Sequence, residues 1–478
     1  MGMEALDTIR PASWLAVSVL SCGALMVAID ATVVNIAVPF ITRDLRFPNA
    51  DLTWVTNAYL CTYGGFLPLA GRLGDFLGYR RVFIFGILIF TSASLICGVA
   101  TAPWGLIIGR ALQGFAGAST STAAAALIRS IFSDDSGRAR ALGIFSLIGA
   151  VGSAVGVLVG GTLTALLGWH WIFFINIPVG IGVCIACLGL IPVDRLSTYA
   201  RKLDIAGATT ITASLTLANF ALVTATRVGW DDLVTLVSLL AAGVFMLLFV
   251  YTERRVQYPI LPLGLFRSRN LVVVSFAGAF LSSATLSWMF VSSFYLQFVF
   301  HLTSWQAGAA FLPVTVSDAF IAIVLVPTLI SRFGLKLLIA VGMLTMSGGI
   351  LLFTVSATHV TLLWNVIPGM ILLGSGMGLT YGPLFLSVVN GAPDNSSGMI
   401  SGAVYSAWIL GGTLGFAILV GAGVGGTGEL LRPLADGRHA HDGYQVCFYF
   451  SALAAAGAAA LSMLFIRSAV TKRHGEQI

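Results

Sequence analysis

Apolar residues run along this chain in long blocks separated by short polar segments. Fourteen blocks stand out, near 13–38, 52–71, 82–101, 104–130, 139–167, 171–191, 204–226, 233–251, 271–300, 306–330, 337–357, 361–388, 398–427 and 444–467. An α-helix needs about 20 apolar residues to cross the hydrocarbon core of a bilayer, and each block is close to or above that length. The pattern predicts an all-α integral membrane protein with fourteen transmembrane helices. An even number of crossings puts both termini on one side. No polar segment is long enough to form a separate soluble domain.

Composition agrees with the pattern. Hydrophobic residues make up 58% of the 478 positions and charged residues 9%, against roughly 25% charged in a soluble domain. The net charge of +6 does not indicate nucleic acid, because the basic residues sit in the connectors. Nineteen of the 25 Lys and Arg fall on the side that holds the termini, five fall on the other side, and Arg110 lies inside a block. Positive residues mark cytoplasmic loops, so the expected location is the cytoplasmic (inner) membrane with both termini in the cytoplasm. All six cysteines lie in apolar blocks and read as small buried hydrophobes. Cys184-x-x-Cys187 has a redox spacing but lacks the βαβ setting of such a motif. The first block runs directly into the next, so it reads as a span rather than a cleaved leader.

One connector is unusual. Residues 71–81 read Gly-Arg-Leu-Gly-Asp-Phe-Leu-Gly-Tyr-Arg-Arg, a polar loop in which Gly71, Gly74 and Gly78 permit a tight turn. Its spacing returns 256 residues later as Pro327-x-Leu329-x-Ser331-Arg332-x-Gly334-x-Lys336, with Ser331 in place of Asp75. This echo fits parallel repeats related about an axis along the membrane normal. The expected division is an N-terminal six-helix half over 1–200, two inserted transmembrane helices over 201–258 and a C-terminal six-helix half over 259–478.

Three ionisable residues lie well inside spans: Asp30, Arg110 and Asp318. A charge at the centre of a membrane helix costs about 2.5–3.5 kcal/mol on insertion scales, so such residues mark functional sites. A low dielectric disfavours the charged form of a carboxylate, which suits a site that loads and releases a proton. Asp30 is the candidate for that role. Asn35, five residues on, is rotated by about 140° and is assigned to helix packing. Arg110 stays charged at all relevant pH and needs an acceptor if buried. It sits at a depth comparable with Asp30, so a pair between them is geometrically open, as is a snorkelling position near the interface. Asp318 is about 18 Å into its span and is a candidate for binding a cationic substrate or a second proton. Gly152, Gly156, Gly160 and Gly161 flatten one face of the fifth span for close helix approach.

Several of these stretches resemble a known family. Gly71-x-Leu73-x-Asp75-x-x-Gly78-x-Arg80 resembles the helix 2–3 loop signature of the major facilitator superfamily. Ala28-Ile29-Asp30 through Pro39 is similar to the first-helix signature of its fourteen-span drug:proton antiporters, and Arg110-Ala-Leu-Gln113-Gly114 to its fourth-helix signature. Gly149 through Gly161 resembles the fifth-helix antiporter signature, with Val157 where that signature has proline. Trp169-His170-Trp171 through Gly180 is also typical of the family, as are Trp54 to Tyr59 and Leu261 to Arg267. The resemblance implies that Asp30 and Arg110 couple transport to protons. It implies that Gly71, Asp75, Gly78, Arg80 and Arg81 form a conformational latch at the cytoplasmic face.

The expected function is proton-motive-force-driven efflux of hydrophobic, cationic drugs or antibiotics by alternating access. The expected partners are protons, small hydrophobic substrates and the lipid bilayer, with no nucleic acid, and the expected working unit is a monomer. No cofactor or metal is expected. None of the three lysines follows a glycine, so the chain has no Gly-Lys-Ser/Thr phosphate loop. His439-x-His441, with Asp436 and Asp442, reads as a solvated turn. A dedicated exporter of one endogenous metabolite, antibiotic or siderophore keeps the same fold. A non-transporting receptor or a membrane enzyme is the alternative of another class, and no nucleophile–base or metal constellation supports an enzyme.

Overall fold

The computed structural model describes residues 11–47, 54–132, 135–191, 204–256, 268–354, 367–389 and 440–466, with isolated positions at 264, 364 and 366 and between 404 and 418. All regular structure among the described residues is helical. In chain order the helices are α1 (Pro11–Asp44), α2 (Trp54–Leu77), α3 (Tyr79–Gly98), α4 (Pro103–Ile131), α5 (Asp135–Leu167), α6 (Trp171–Phe174), α7 (Asn176–Leu190), α8 (Ile205–Val228), α9 (Leu233–Glu253), α10 (Arg269–Phe298), α11 (Ser304–Ala310), α12 (Leu312–Phe320), α13 (Val326–Leu351), α14 (Ile367–Val389) and α15 (Ala440–Phe465). Eight spans among the described residues are long and apolar enough to cross a membrane. A bilayer offers no water to unpaired backbone groups, so helices that satisfy their own N–H and C=O are the expected solution. The thirteenth block, 398–427, lies outside the described residues except for isolated positions. The His439 grouping and the Leu261 to Arg267 stretch lie outside them as well, apart from single positions.

The chain forms two compact units. The first contains α1 to α9, the end of α10 and α11. Here α1 lies along α5, α4 lies along both α2 and α3, and α8 pairs with α9 and touches α2. The α1–α5 contact is close because α5 presents glycines: a Cβ on Gly160 would stand 2.6 Å from the Val33 carbonyl oxygen, and one on Gly156 would stand 2.8 Å from that of Ile29. Gly152 faces Leu25, and Gly161 lies against the Ser304 backbone at the start of α11. Asp204 and Asp232 cap α8 and α9, accepting from the N–H of Gly207 and Val234. Ser214 Oγ ties the two helices together, donating to the Ala242 carbonyl at 2.9 Å. The outer face of α9 exposes Leu233, Leu236, Leu240 and Leu247, an apolar surface suited to lipid.

The second unit contains the start of α10, α12 to α14 and α15. α13 and α14 approach closely at Gly342, Gly349, Gly369 and Gly376, and Ser347 Oγ donates to the Ala452 carbonyl of α15 at 2.9 Å. Between α12 and α13 one π-helical turn spans Ile321–Leu325. Pro327, which has no N–H to give, stands at the start of the helix that follows.

The 71–81 segment departs from the expected loop. α2 continues to Leu77 and α3 starts at Tyr79, so only Gly78 leaves helical geometry. Its φ of 93° is a left-handed value that glycine adopts without a Cβ penalty, and one such residue suffices to turn the chain. Gly334, 256 positions on, also has a positive φ, 75°, and breaks α13 there. The weak sequence echo therefore recurs in the backbone at the glycine, though not at Asp75, where Ser331 stands.

Candidate functional site

The first unit holds a buried polar cluster built from five helices, α1, α2, α3, α4 and α7. Asp30 on α1 and Arg110 on α4 are both fully buried and form an ion pair through Arg110 Nη1 and Asp30 Oδ2. Arg110 opens the sequence Arg-Ala-Leu-Gln, and residues three apart share a helix face. Gln113 accordingly points the same way. Its Oε1 accepts from Arg110 Nη1 at 2.8 Å, and its Nε2 donates to Asp30 Oδ1 at 2.9 Å. Arg110 Nε donates to the Val55 carbonyl of α2 at 3.1 Å, and its guanidinium carbon lies 4.4 Å from the centre of the Tyr59 ring, within cation–π range. Arg110 Nη2 has no hydrogen-bond acceptor among the described residues.

Asn176 completes the ring around the carboxylate. Its Nδ2 donates to Asp30 Oδ1 at 2.8 Å and to Ser94 Oγ of α3 at 3.3 Å. Ser94 Oγ also accepts from Gln113 Nε2 at 2.9 Å, and Cys97 Sγ lies 3.5 Å from Gln113 Oε1. Local sequence explains how Asn176 arrives there. Pro178 has no N–H for the Phe174 carbonyl, and the helix breaks between α6 and α7. Trp169 Nε1, just before α6, donates to Asp44 Oδ2 at the end of α1 at 2.9 Å. The Phe174 ring packs over Gly98. These contacts seat the start of α7 against α1 and α3.

An ionised carboxylate only accepts, and both Asp30 oxygens are occupied by donors. Burying such a pair costs several kcal/mol per ion, so it is a weak device for stability, whereas removing one partner strands the other.

The other sequence-derived residues lie elsewhere. Asp75 accepts from the Tyr79 hydroxyl at 2.5 Å and pairs with Arg72 at 3.5 Å, the latter partly exposed and hence weak. Arg80 Nη2 donates to the Leu188 carbonyl of α7 at 2.7 Å. Arg81 is exposed, and Gly71 sits within α2 near Thr122. Asp318, in the second unit, is partly exposed near the end of α12, just before the π turn, and has no ion pair among the described residues. Its carbonyl oxygen packs on Gly378 of α14. Asn35 is buried, and its backbone carbonyl accepts from Ser293 Oγ at 2.7 Å. Sequence reasoning left Gln113, Ser94 and Asn176 out of the site. The spacing from Arg110 was a usable signal for Gln113. For Asn176 the only signal was an amide inside an Ile/Phe run.

In the first unit, long apolar helices thus pack around a buried carboxylate–guanidinium pair, and the family match gives the class, a multi-span transporter. The chain belongs to the Major Facilitator Superfamily, whose family model matches residues 20–416, a family of transporters rather than enzymes. It is 34% identical over 450 residues to a puromycin resistance protein of Streptomyces alboniger, covering 92% of this chain and 89% of that one. It is 32% identical over 416 residues to a tetracenomycin C resistance and export protein of Streptomyces glaucescens, covering 86% and 76%. Among solved structures, the POT family transporter PepTSo superposes with a TM-score of 0.66 at 16% identity, covering 95% of this chain and 97% of that one; this likeness concerns the fold.

Proposed function

We propose that this protein is a proton-motive-force-driven exporter of hydrophobic, cationic drugs or antibiotics, working by alternating access. The observation that carries the reading is the buried Asp30–Arg110 pair, ringed by Gln113 and Asn176. With Asp30 ionised, Arg110 is held and α1 is tied to α4. Protonation removes the negative charge and weakens that tie, so the two helices can rearrange. Buried charge is costly in a membrane and is retained at sites of ion or substrate passage. The names of the relatives, which speak of resistance to puromycin and of resistance to and export of tetracenomycin C, support antibiotics as the substrates.

In this reading the chain spans the cytoplasmic membrane fourteen times with both termini inside and works as a monomer. It divides into an N-terminal half over 1–200, an inserted helix pair over 201–258 and a C-terminal half over 259–478. Asp318 receives the cationic part of the substrate. Gly71, Asp75, Gly78, Arg80 and Arg81 act as the cytoplasmic latch, with the Arg80–Leu188 bond as one fastening. A narrower reading, export of one particular antibiotic or metabolite, draws on relatives named for single compounds, such as a cephamycin export protein of Amycolatopsis lactamdurans.

Ethidium efflux from energised cells, with and without an uncoupler, tests the proposal. The expected result is uncoupler-sensitive efflux that Asp30→Asn abolishes while the protein remains inserted. Undiminished efflux by that variant refutes the role of Asp30. A well-expressed protein that moves no ethidium favours the narrower substrate.

A further inference from the structure

Each oxygen of the Asp30 carboxylate is committed differently. Oδ2 receives Arg110 Nη1, and Oδ1 receives the amides of Gln113 and Asn176. The two amides are not equivalent. Gln113 is locked in orientation because its Oε1 accepts from Arg110, with the Cys97 thiol also against it. Turning it would set an N–H against a guanidinium. Asn176 makes only donor bonds among the described residues, through Nδ2 to Asp30 and Ser94. It can donate to the carboxylate and turn to accept from the carboxylic acid. It also enters from a separate helix, α7, whose start is seated by the Trp169–Asp44 bond and the Phe174–Gly98 contact. The other charged or titratable groups facing the site among the described residues are Arg110 on α4, Cys97 on α3 and Tyr59 on α2.

From this geometry we infer that Asn176 is a positioning residue that sets the pH at which the Asp30 site takes up its proton. The inference rests on the proposed role of Asp30. A hydrogen bond to the ionised form is stronger than one to the neutral form, so deleting the amide disfavours the carboxylate more than the acid. The uptake midpoint then moves to higher pH by about one unit.

The test is an infrared pH titration of the full chain in liposomes, following the carboxylic-acid C=O band that Asp30→Asn removes. This readout needs no substrate. Asn176→Leu is isosteric and lacks the amide. Asn176→Ala deletes the same donor with less bulk and leaves room for a water to replace it. The expected result is a midpoint about one pH unit higher in Asn176→Leu and a smaller shift of the same sign in Asn176→Ala. Wild-type midpoints in both variants, with the Asp30 band present, overturn the role of Asn176 and leave the proton site standing. Absence of any band sensitive to Asp30→Asn overturns the proton site itself, and this inference with it.

Discussion

Replacing Gly160 with alanine adds one methyl group where α5 meets the α1 backbone at Val33. That carbon would lie 2.6 Å from the Val33 carbonyl oxygen, 2.7 Å from Val33 Cγ2 and 3.1 Å from Val33 Cα. Two of these groups are backbone or attached to it, so no flexible side-chain end can swing away. Reaching ordinary contact near 3.4 Å requires α1 to move off α5 by several tenths of an ångström. Overpacking of this kind costs about 1–3 kcal/mol. Alanine also gains about 1 kcal/mol over glycine in a helix interior, so the informative quantity is a difference between two glycine-to-alanine variants. Gly182 on α7 supplies the control, because a Cβ there meets nothing within 4 Å. The propensity gain cancels, and Gly160→Ala should be less stable than Gly182→Ala by about 1–3 kcal/mol. A thiol-reactive fluorogenic dye can follow thermal unfolding in detergent, since Cys61, Cys97, Cys184, Cys187 and Cys447 are buried and become reactive on opening. A lower midpoint for Gly160→Ala is expected. Equal midpoints would refute the close packing of α5 on the α1 backbone.

Two other substitutions probe the conformational and substrate parts of the proposal. Gly78→Ala places a Cβ at φ 93°, a left-handed conformation that costs an L-residue about 1–2 kcal/mol; the same dye assay should show a lower midpoint, and an unchanged one would contradict the one-residue turn between α2 and α3. Asp318→Asn should reduce efflux of ethidium more than efflux of a neutral hydrophobic dye, and equal loss of both would argue against cation recognition at that residue.

The charges of this site were legible in the sequence because a membrane makes them conspicuous. Asp30 and Arg110 stand out in apolar runs, and their depths allowed a pair. Their contact depends on how α1 packs against α4, 80 residues apart, which no local pattern encodes. Asn176 was harder still. Its partner lies 146 residues away, and an amide beside Trp and Phe at a helix start reads equally well as an interfacial anchor. The polar residues of 71–81 read as a connector in the sequence, whereas in the structure they belong to the ends of α2 and α3 and the turn needs only Gly78. The glycine face of α5 was readable from its spacing of four, since that spacing itself creates the flat face.

In the proposed mechanism Asp30 carries the transported proton. The most direct measurement is proton movement across proteoliposomes containing the purified protein, driven by an ethidium gradient and followed with a pH-sensitive dye in the lumen. Ethidium-driven proton counterflow is expected in the wild type and none in Asp30→Asn. Proton counterflow of undiminished rate in Asp30→Asn would contradict it.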